Sequence, residues 1–165
     1  MTGYPLASLT RVRQLREDAA SAECTSSEKI LLAARRETLA RQKALDDYLV
    51  WRKQEEDRRY HEILGKELSF KELEDFKAGL AALRDRDNIL LAALEEARKA
   101  EKESEQRRDA AVESLKQARK EKEKISENRK VWQAAERKEA ERREDLEMEE
   151  FTGVKRPDQR EDSDD

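Results

Sequence analysis

Residues 73–146 read LEDFKAGLAALRDRDNILLAALEEARKAEKESEQRRDAAVESLKQARKEKEKISENRKVWQAAERKEAERREDL. A 3-4 spacing recurs through them without a slip. One line runs Phe76, Leu83, Leu90, Ala97, Ser104, Ala111, Ala118, Ile125, Trp132, Glu139, Leu146. Its companion runs Leu73, Leu80, Asp87, Leu94, Glu101, Arg108, Leu115, Lys122, Arg129, Glu136, Arg143. A heptad held in phase for so long is one continuous helix, because any loop inside it would reset the phase. The first line is apolar at nine of eleven sites and the second at four. The stretch predicts a long helix whose seam is weak on one side.

Just before the repeat, Ser69-Phe70-Lys71-Glu72 has the form of a capping box, and Gly65 follows Ile63-Leu64 as a stop. A reversal there folds an earlier helix back along the later one. The reading is an all-α, elongated, two-helix antiparallel coiled-coil hairpin over residues 1–151. Helix one spans about 5–64, the turn about 65–69 and helix two about 70–151. With that pivot, residue i sits opposite roughly residue 134 − i. Leu45 then faces Ile89-Leu90, Tyr4 to Leu6 approach Asn128 to Trp132, and helix two overhangs from Trp132 to Phe151 by about five turns. Gly79 lies inside the repeat at a cost of about 1 kcal/mol relative to Ala.

Helix one is less regular. Tyr4-Pro5-Leu6 opens it, with Pro where its missing N–H costs nothing. Apolar and small residues recur at Leu6, Leu9, Val12, Leu15, Ala19, Ala22, Ala33 and Ala40. The run Ile30-Leu31-Leu32-Ala33-Ala34 blurs the phase, and Leu45, Leu49 and Ile63 resume it in a shifted register. Thr25-Ser26-Ser27-Glu28 is either a second capping box or an exposed polar face. Residues 152–165, closing on Glu161-Asp162-Ser163-Asp164-Asp165, read as an acidic disordered tail.

Charged residues make up 46% of the chain and aromatics 5%, which fits a long helix and not a thick core. The net charge of −4 is the difference between 40 acids and 36 bases, finely mixed, so nucleic acid is not an expected partner. No apolar stretch reaches membrane-spanning length, and no basic segment leading into an apolar run opens the sequence. Cys24 stands alone and can form no internal disulfide. The chain reads as soluble and cytosolic. His61 is the single histidine, so neither a His-paired nucleophile nor a two-His metal site can be built. There is no Gly-rich phosphate loop. No catalytic, metal or cofactor site is expected, and no enzymatic activity.

Two departures from a plain seam remain. Arg52, Glu56 and Arg59, with Glu101, Arg108, Lys122, Arg129, Glu136 and Arg143, put charge at seam positions. Charge there lowers stability while fixing register, or suits a rod that turns or exchanges partners. The overhang carries Trp132, Leu146, Met148 and Phe151, which suggests a docking surface.

The opening Tyr4-Pro5-Leu6 with Leu9, Arg11, Val12 and Leu15 resembles the YscO/FliJ stalk proteins of type III secretion and flagellar export. So does the closing Trp132 with Glu141-Arg142-Arg143-Glu144-Asp145-Leu146-Glu147-Met148-Glu149-Glu150-Phe151. The resemblance implies a cytoplasmic, monomeric stalk similar to the coiled coil of the rotary-ATPase gamma subunit. It enters the hexameric secretion ATPase by the end where the termini pair and promotes ATPase assembly and activity. It also contacts the export-gate membrane protein and binds export chaperones, without inserting into the membrane. The ATPase-facing residues it implies are Tyr4, Leu6, Leu9, Val12, Trp132, Arg142, Arg143, Leu146, Met148 and Phe151. Leu45, Tyr48, Phe76 and Leu80 match the gate-binding patch of the flagellar relatives, while Arg41, Arg52, Leu83 and Asp87 beside them depart from its pattern. Seam packing equally explains Leu45, Phe76 and Leu80, and Tyr48 is the hardest of the four to place in a seam. The alternatives are a chaperone-escort or adaptor coiled coil that enters no ring, and a spacer formed by a parallel dimer.

Overall fold

The computed structural model describes residues 3–153. Two helices account for nearly all of them, α1 (Ala7–Ile63) and α2 (Phe70–Gly153), packed against each other as a helical hairpin. Among the described residues there is no strand. The tail beyond residue 153 lies outside them.

The turn is built as local chemistry dictates. Gly65 takes a left-handed φ of 76°, which side chains with a Cβ resist, and it ends α1. At the start of α2 the capping box closes reciprocally. Ser69 N–H and Oγ–H donate to Glu72 Oε2 at 2.8 and 2.7 Å, and Glu72 N–H donates back to Ser69 Oγ at 3.3 Å. Ser69→Ala removes the cap and is expected to cost about 1 kcal/mol in chemical denaturation. At the other end, Pro5 sits in a turn: Ala7 N–H donates to the Tyr4 carbonyl at 3.1 Å, and α1 begins only there.

The chain forms two compact units. Ala19–Lys116 make one; among the described residues, 3–18 with 117–153 make the other. In the first unit, Leu31, Leu45, Leu80, Leu83, Leu94 and Ala97 form the apolar core, joined by Cys24 and Ala111. The α2 lines read from the sequence are the covered lines. All of the first line within this unit is buried or half-buried, and of the second only Leu73 is exposed.

The α1 side departs from expectation. Ala19, Ala22, Ala33 and Ala40 face solvent, and the seam runs instead through Ala20, Cys24, Ser27, Leu31, Ala34, Thr38, Gln42 and Leu45. Alanine is the strongest helix former and costs nothing when exposed, so it carries no phase information; the covered face is marked by Leu31 and Leu45, with the small Cys24, Ser27 and Thr38 between them. Nor does the register jump at residues 30–34. The line Cys24, Leu31, Thr38, Leu45, Arg52, Arg59 is covered throughout. Only its companion steps by one residue, from Ala20, Ser27 and Ala34 to Gln42, Leu49, Glu56 and Ile63. α1 continues unbroken through Thr25-Ser26-Ser27-Glu28, where Thr25 Oγ1 donates to the Ser21 carbonyl at 3.1 Å and Ser27 Oγ to that of Cys24 at 2.8 Å.

Gly79 has a local cause. A Cβ there would come within 2.9 Å of Arg59 Nη1, so the guanidinium lies across the space its missing side chain leaves. Gly79→Ala should gain about 1 kcal/mol of helix propensity and lose part of it when Arg59 shifts off its 2.8 Å bond to Glu55. A modest rise in melting temperature is expected. A fall would mean that the guanidinium cannot move aside.

Several carboxylates are held acidic. Hydrogen bonds from Arg58, then Arg59, lower Glu55 from 4.5 to about 2. The Lys122 hydrogen bond lowers Glu17, and the Ser69 side chain lowers Glu72. For Glu56, burial pushes the other way but is outweighed by hydrogen bonds from Arg52 and Arg84. A carboxylate more acidic folded than unfolded stabilises the fold above its unfolded pKa, and that contribution fades as it protonates. Thermal stability should therefore decline as pH falls from about 4.5 toward 2, the range set by Glu55. A melting temperature flat across that window would show that these contacts contribute nothing.

Candidate functional site

The two residue groups singled out in the sequence fall one in each unit, and their surroundings differ.

In the unit formed by Ala19–Lys116, Leu45, Tyr48, Phe76 and Leu80, the four residues expected to contact an export gate, are largely occupied by the hairpin itself. Leu45 and Leu80 are buried in the seam. Tyr48 is half-buried, and its hydroxyl donates to the Leu83 carbonyl at 2.8 Å across the helix pair. Burial raises its pKa, with the Asp87 charge adding to the effect. Tyr48 thus fits the seam after all, because its polar tip finds a backbone acceptor there. Phe76 meets Tyr60 edge-on, ring centroids 5.3 Å apart. Beside them lies a charged layer. Arg52 Nη1 bonds Glu56 Oε1 at 2.8 Å and its Nε meets Asp87 Oδ2 at 3.1 Å, while Arg84 Nε reaches Glu56 at 3.3 Å.

Among the large apolar residues this unit leaves exposed, several lie near these side chains or the turn. Trp51 is exposed and tilts against Tyr48 at 5.4 Å. Val50 is exposed beside it, and Leu64 and Phe70 flank the turn at 79% and 80% exposure. The heptad excludes Val50 and Trp51 from the seam, and that exclusion was the available signal. Two consecutive large apolar residues off the seam have no covering helix.

In the other unit, the N-terminal end of α1 lies along α2. Tyr4 Oη donates to Asn128 Oδ1 at 2.9 Å, and its ring packs on Trp132 at 5.4 Å. This is the pairing that the pivot at Gly65 implies. Arg13 pairs with Glu121, and Glu17 with Lys122 and Arg119. Trp132 was expected to open the bare overhang; it is half-buried instead, covered by Tyr4. Leu9 is half-buried, whereas Leu6, Val12 and Leu15 face outward.

The uncovered segment starts after Glu136. Every residue from 137 to 153 is exposed, including Arg142, Arg143, Leu146, Met148 and Phe151. Arg142 and Arg143 reach only their own helix, each 3.9 Å from Glu139. Leu146 and Met148 are separated by about 160° around the helix, and Leu146 and Phe151 by about 140° the other way. Leu146 therefore stands on one side and Met148 with Phe151 on the opposite side.

Among the described residues no group of three His, Cys, Asp or Glu side chains is placed to hold a metal ion. No helix among them is long and apolar enough to cross a membrane.

Comparison with known proteins supplies the context. No curated protein matches the sequence. The crystal structure of the type III secretion protein YscO from Vibrio parahaemolyticus is 26% identical, covers 88% of this chain and 92% of that one, and superposes with a TM-score of 0.82. A putative YscO homologue from Chlamydia trachomatis shares the fold at 19% identity, with a TM-score of 0.76 over 93% of this chain and 94% of that one. The family model described as type III secretion protein YscO matches residues 6–154. The hairpin, with the start of α1 paired along α2 and a bare helical end beyond it, belongs to the YscO family of type III secretion proteins.

Proposed function

We propose that this secretion-apparatus protein is a non-enzymatic central stalk for the hexameric secretion ATPase, acting at the cytoplasmic face of the apparatus. The end where the termini pair enters the ring. The chain promotes ATPase assembly and activity and links the ring to the export gate and to export chaperones.

One observation carries the reading. The last turns of α2 place large apolar side chains on opposite sides of an uncovered helix. A helix that docks in a one-sided groove needs a single stripe at i, i+3, i+4 and i+7. Apolar anchors on two sides suit a partner that encloses the helix, as a ring pore does. The Tyr4–Trp132 contact, with the Tyr4–Asn128 bond, then sets where the doubled shaft narrows to a single helix. The gate contact is the other half of the proposal. Leu45 and Leu80 would serve it from within the seam, by holding Tyr48 and Phe76, with Trp51 beside them.

The test adds the full chain to the purified cognate ATPase. Hydrolysis and hexamer formation should both rise. Replacing Leu146, Met148 and Phe151 together by alanine should remove most of that stimulation while helicity stays unchanged, since alanine favours helix. Trp132 is left intact in this variant because it holds Tyr4. Stimulation that survives the triple replacement would take the bare end out of the mechanism. An ATPase indifferent to the wild-type chain, alongside tight chaperone binding, would favour the escort reading.

A further inference from the structure

The bare end and the paired stretch beside it carry opposite charge. Over residues 3–18 and 117–130 there are nine bases against five acids, and over 131–153 four bases against eight acids. Arg11, Arg16, Lys120, Lys124 and Arg129 are exposed and form no ion pair among the described residues. The final turns hold Glu144, Asp145, Glu147, Glu149 and Glu150 with no base among them, all exposed.

This arrangement works against the helix that bears it. The last turn of α2 has no basic residue, so its carboxylates crowd the negative end of the macrodipole. The pairs Glu144–Glu147, Asp145–Glu149 and Glu147–Glu150 add like-charge repulsion of a few tenths of a kcal/mol each. Leu146, Met148 and Phe151 are exposed among those acids. A partner that supplies positive charge around an apolar floor would relieve all three costs at once.

Building on the stalk reading, we propose that the receiving surface is charged in two zones. It is basic, with apolar contacts, where it meets residues 144–151, and acidic where it meets Arg11, Arg16 and Lys124. The polarity fixes depth: a chain entering too shallowly would set its acidic end against the acidic zone, and one entering too deeply would set base against base.

The experiment titrates the full chain against the purified hexameric secretion ATPase of the same organism at ~50 and ~300 mM salt. One variant combines Glu147→Lys, Glu149→Lys and Glu150→Lys; the second combines Arg11→Glu, Arg16→Glu and Lys124→Glu. Each is expected to weaken binding roughly tenfold or more at low salt, with the difference shrinking at high salt. Lysines at a helix C-terminus strengthen the helix, so weakened binding by the first variant cannot come from unfolding; circular dichroism checks the second. Wild-type binding with the lysine variant equal or tighter would overturn the two-zone polarity and leave the stalk reading standing. Failure of the wild type to bind the hexamer would overturn both.

Discussion

Replacing Leu94 with alanine should cost about 2–3 kcal/mol, the largest loss expected from any single seam truncation. Leu94 is 2% exposed, the most covered side chain in the described chain, followed by Leu31 at 3%. The core around it is thin, with five leucines, two alanines, a cysteine and a serine below a tenth exposure. The loss falls in the lower part of the range for buried leucines, because a two-helix seam lies one side chain from water and can partly collapse on the vacancy. Set against a stability of roughly 5–15 kcal/mol for a typical domain, it is still a large fraction. Leu39, at 70% exposure, is the control: Leu39→Ala should stay within about 0.5 kcal/mol of wild type. Urea unfolding followed by far-ultraviolet circular dichroism measures both. Equal losses would mean that the seam does not follow the α2 heptad.

The α2 heptad was legible because its apolar residues are large. Leucine, phenylalanine and isoleucine cost free energy when exposed, so their spacing reports the buried face directly. Gly65 and Ser69-Phe70-Lys71-Glu72 were legible for a similar reason, each having one conformational use that few other residues serve as well. The α1 phase was illegible where alanine filled it. Its covered line passes through Ser27 and Thr38, polar residues that a hydrophobic template scores as misses. The candidate surfaces divide along the same line. Leu146, Met148 and Phe151 were identifiable because the pivot leaves nothing opposite them. Trp132 was read both as lying opposite Tyr4 and as the start of the overhang; the residue count gave the first correctly, and the ring of Tyr4 covers it. Trp51 went unnoticed because it interrupts no pattern.

The charged layer of Arg52, Glu56 and Asp87 is expected to show that stability and specificity can be separated. Asp87→Ala should cost about 1–2 kcal/mol, since it leaves the Arg52 guanidinium partly desolvated with one partner lost. The figure stays below that for a fully buried pair, because Arg52 and Asp87 keep 21% and 18% of their side-chain exposure and water screens them. Arg52→Leu with Asp87→Leu should behave differently. Two packed leucines remove the desolvation cost, so the double variant should match or exceed wild-type stability in urea. It should also lose the interaction that penalises a slipped pairing, since neighbouring heptads would accept leucine against leucine in more than one alignment. Sedimentation velocity at rising concentration would then show the double variant spreading into dimers or mixed species while wild type stays uniform. Arg52→Leu also removes the 2.8 Å bond to Glu56 and leaves that carboxylate only Arg84 at 3.3 Å, so both variants are compared in a Glu56→Gln background. A double variant less stable than Asp87→Ala would mean that the layer contributes stability outright. One as uniform as wild type would mean that the register is set elsewhere, with Tyr48 and its bond to the Leu83 carbonyl the next element to test.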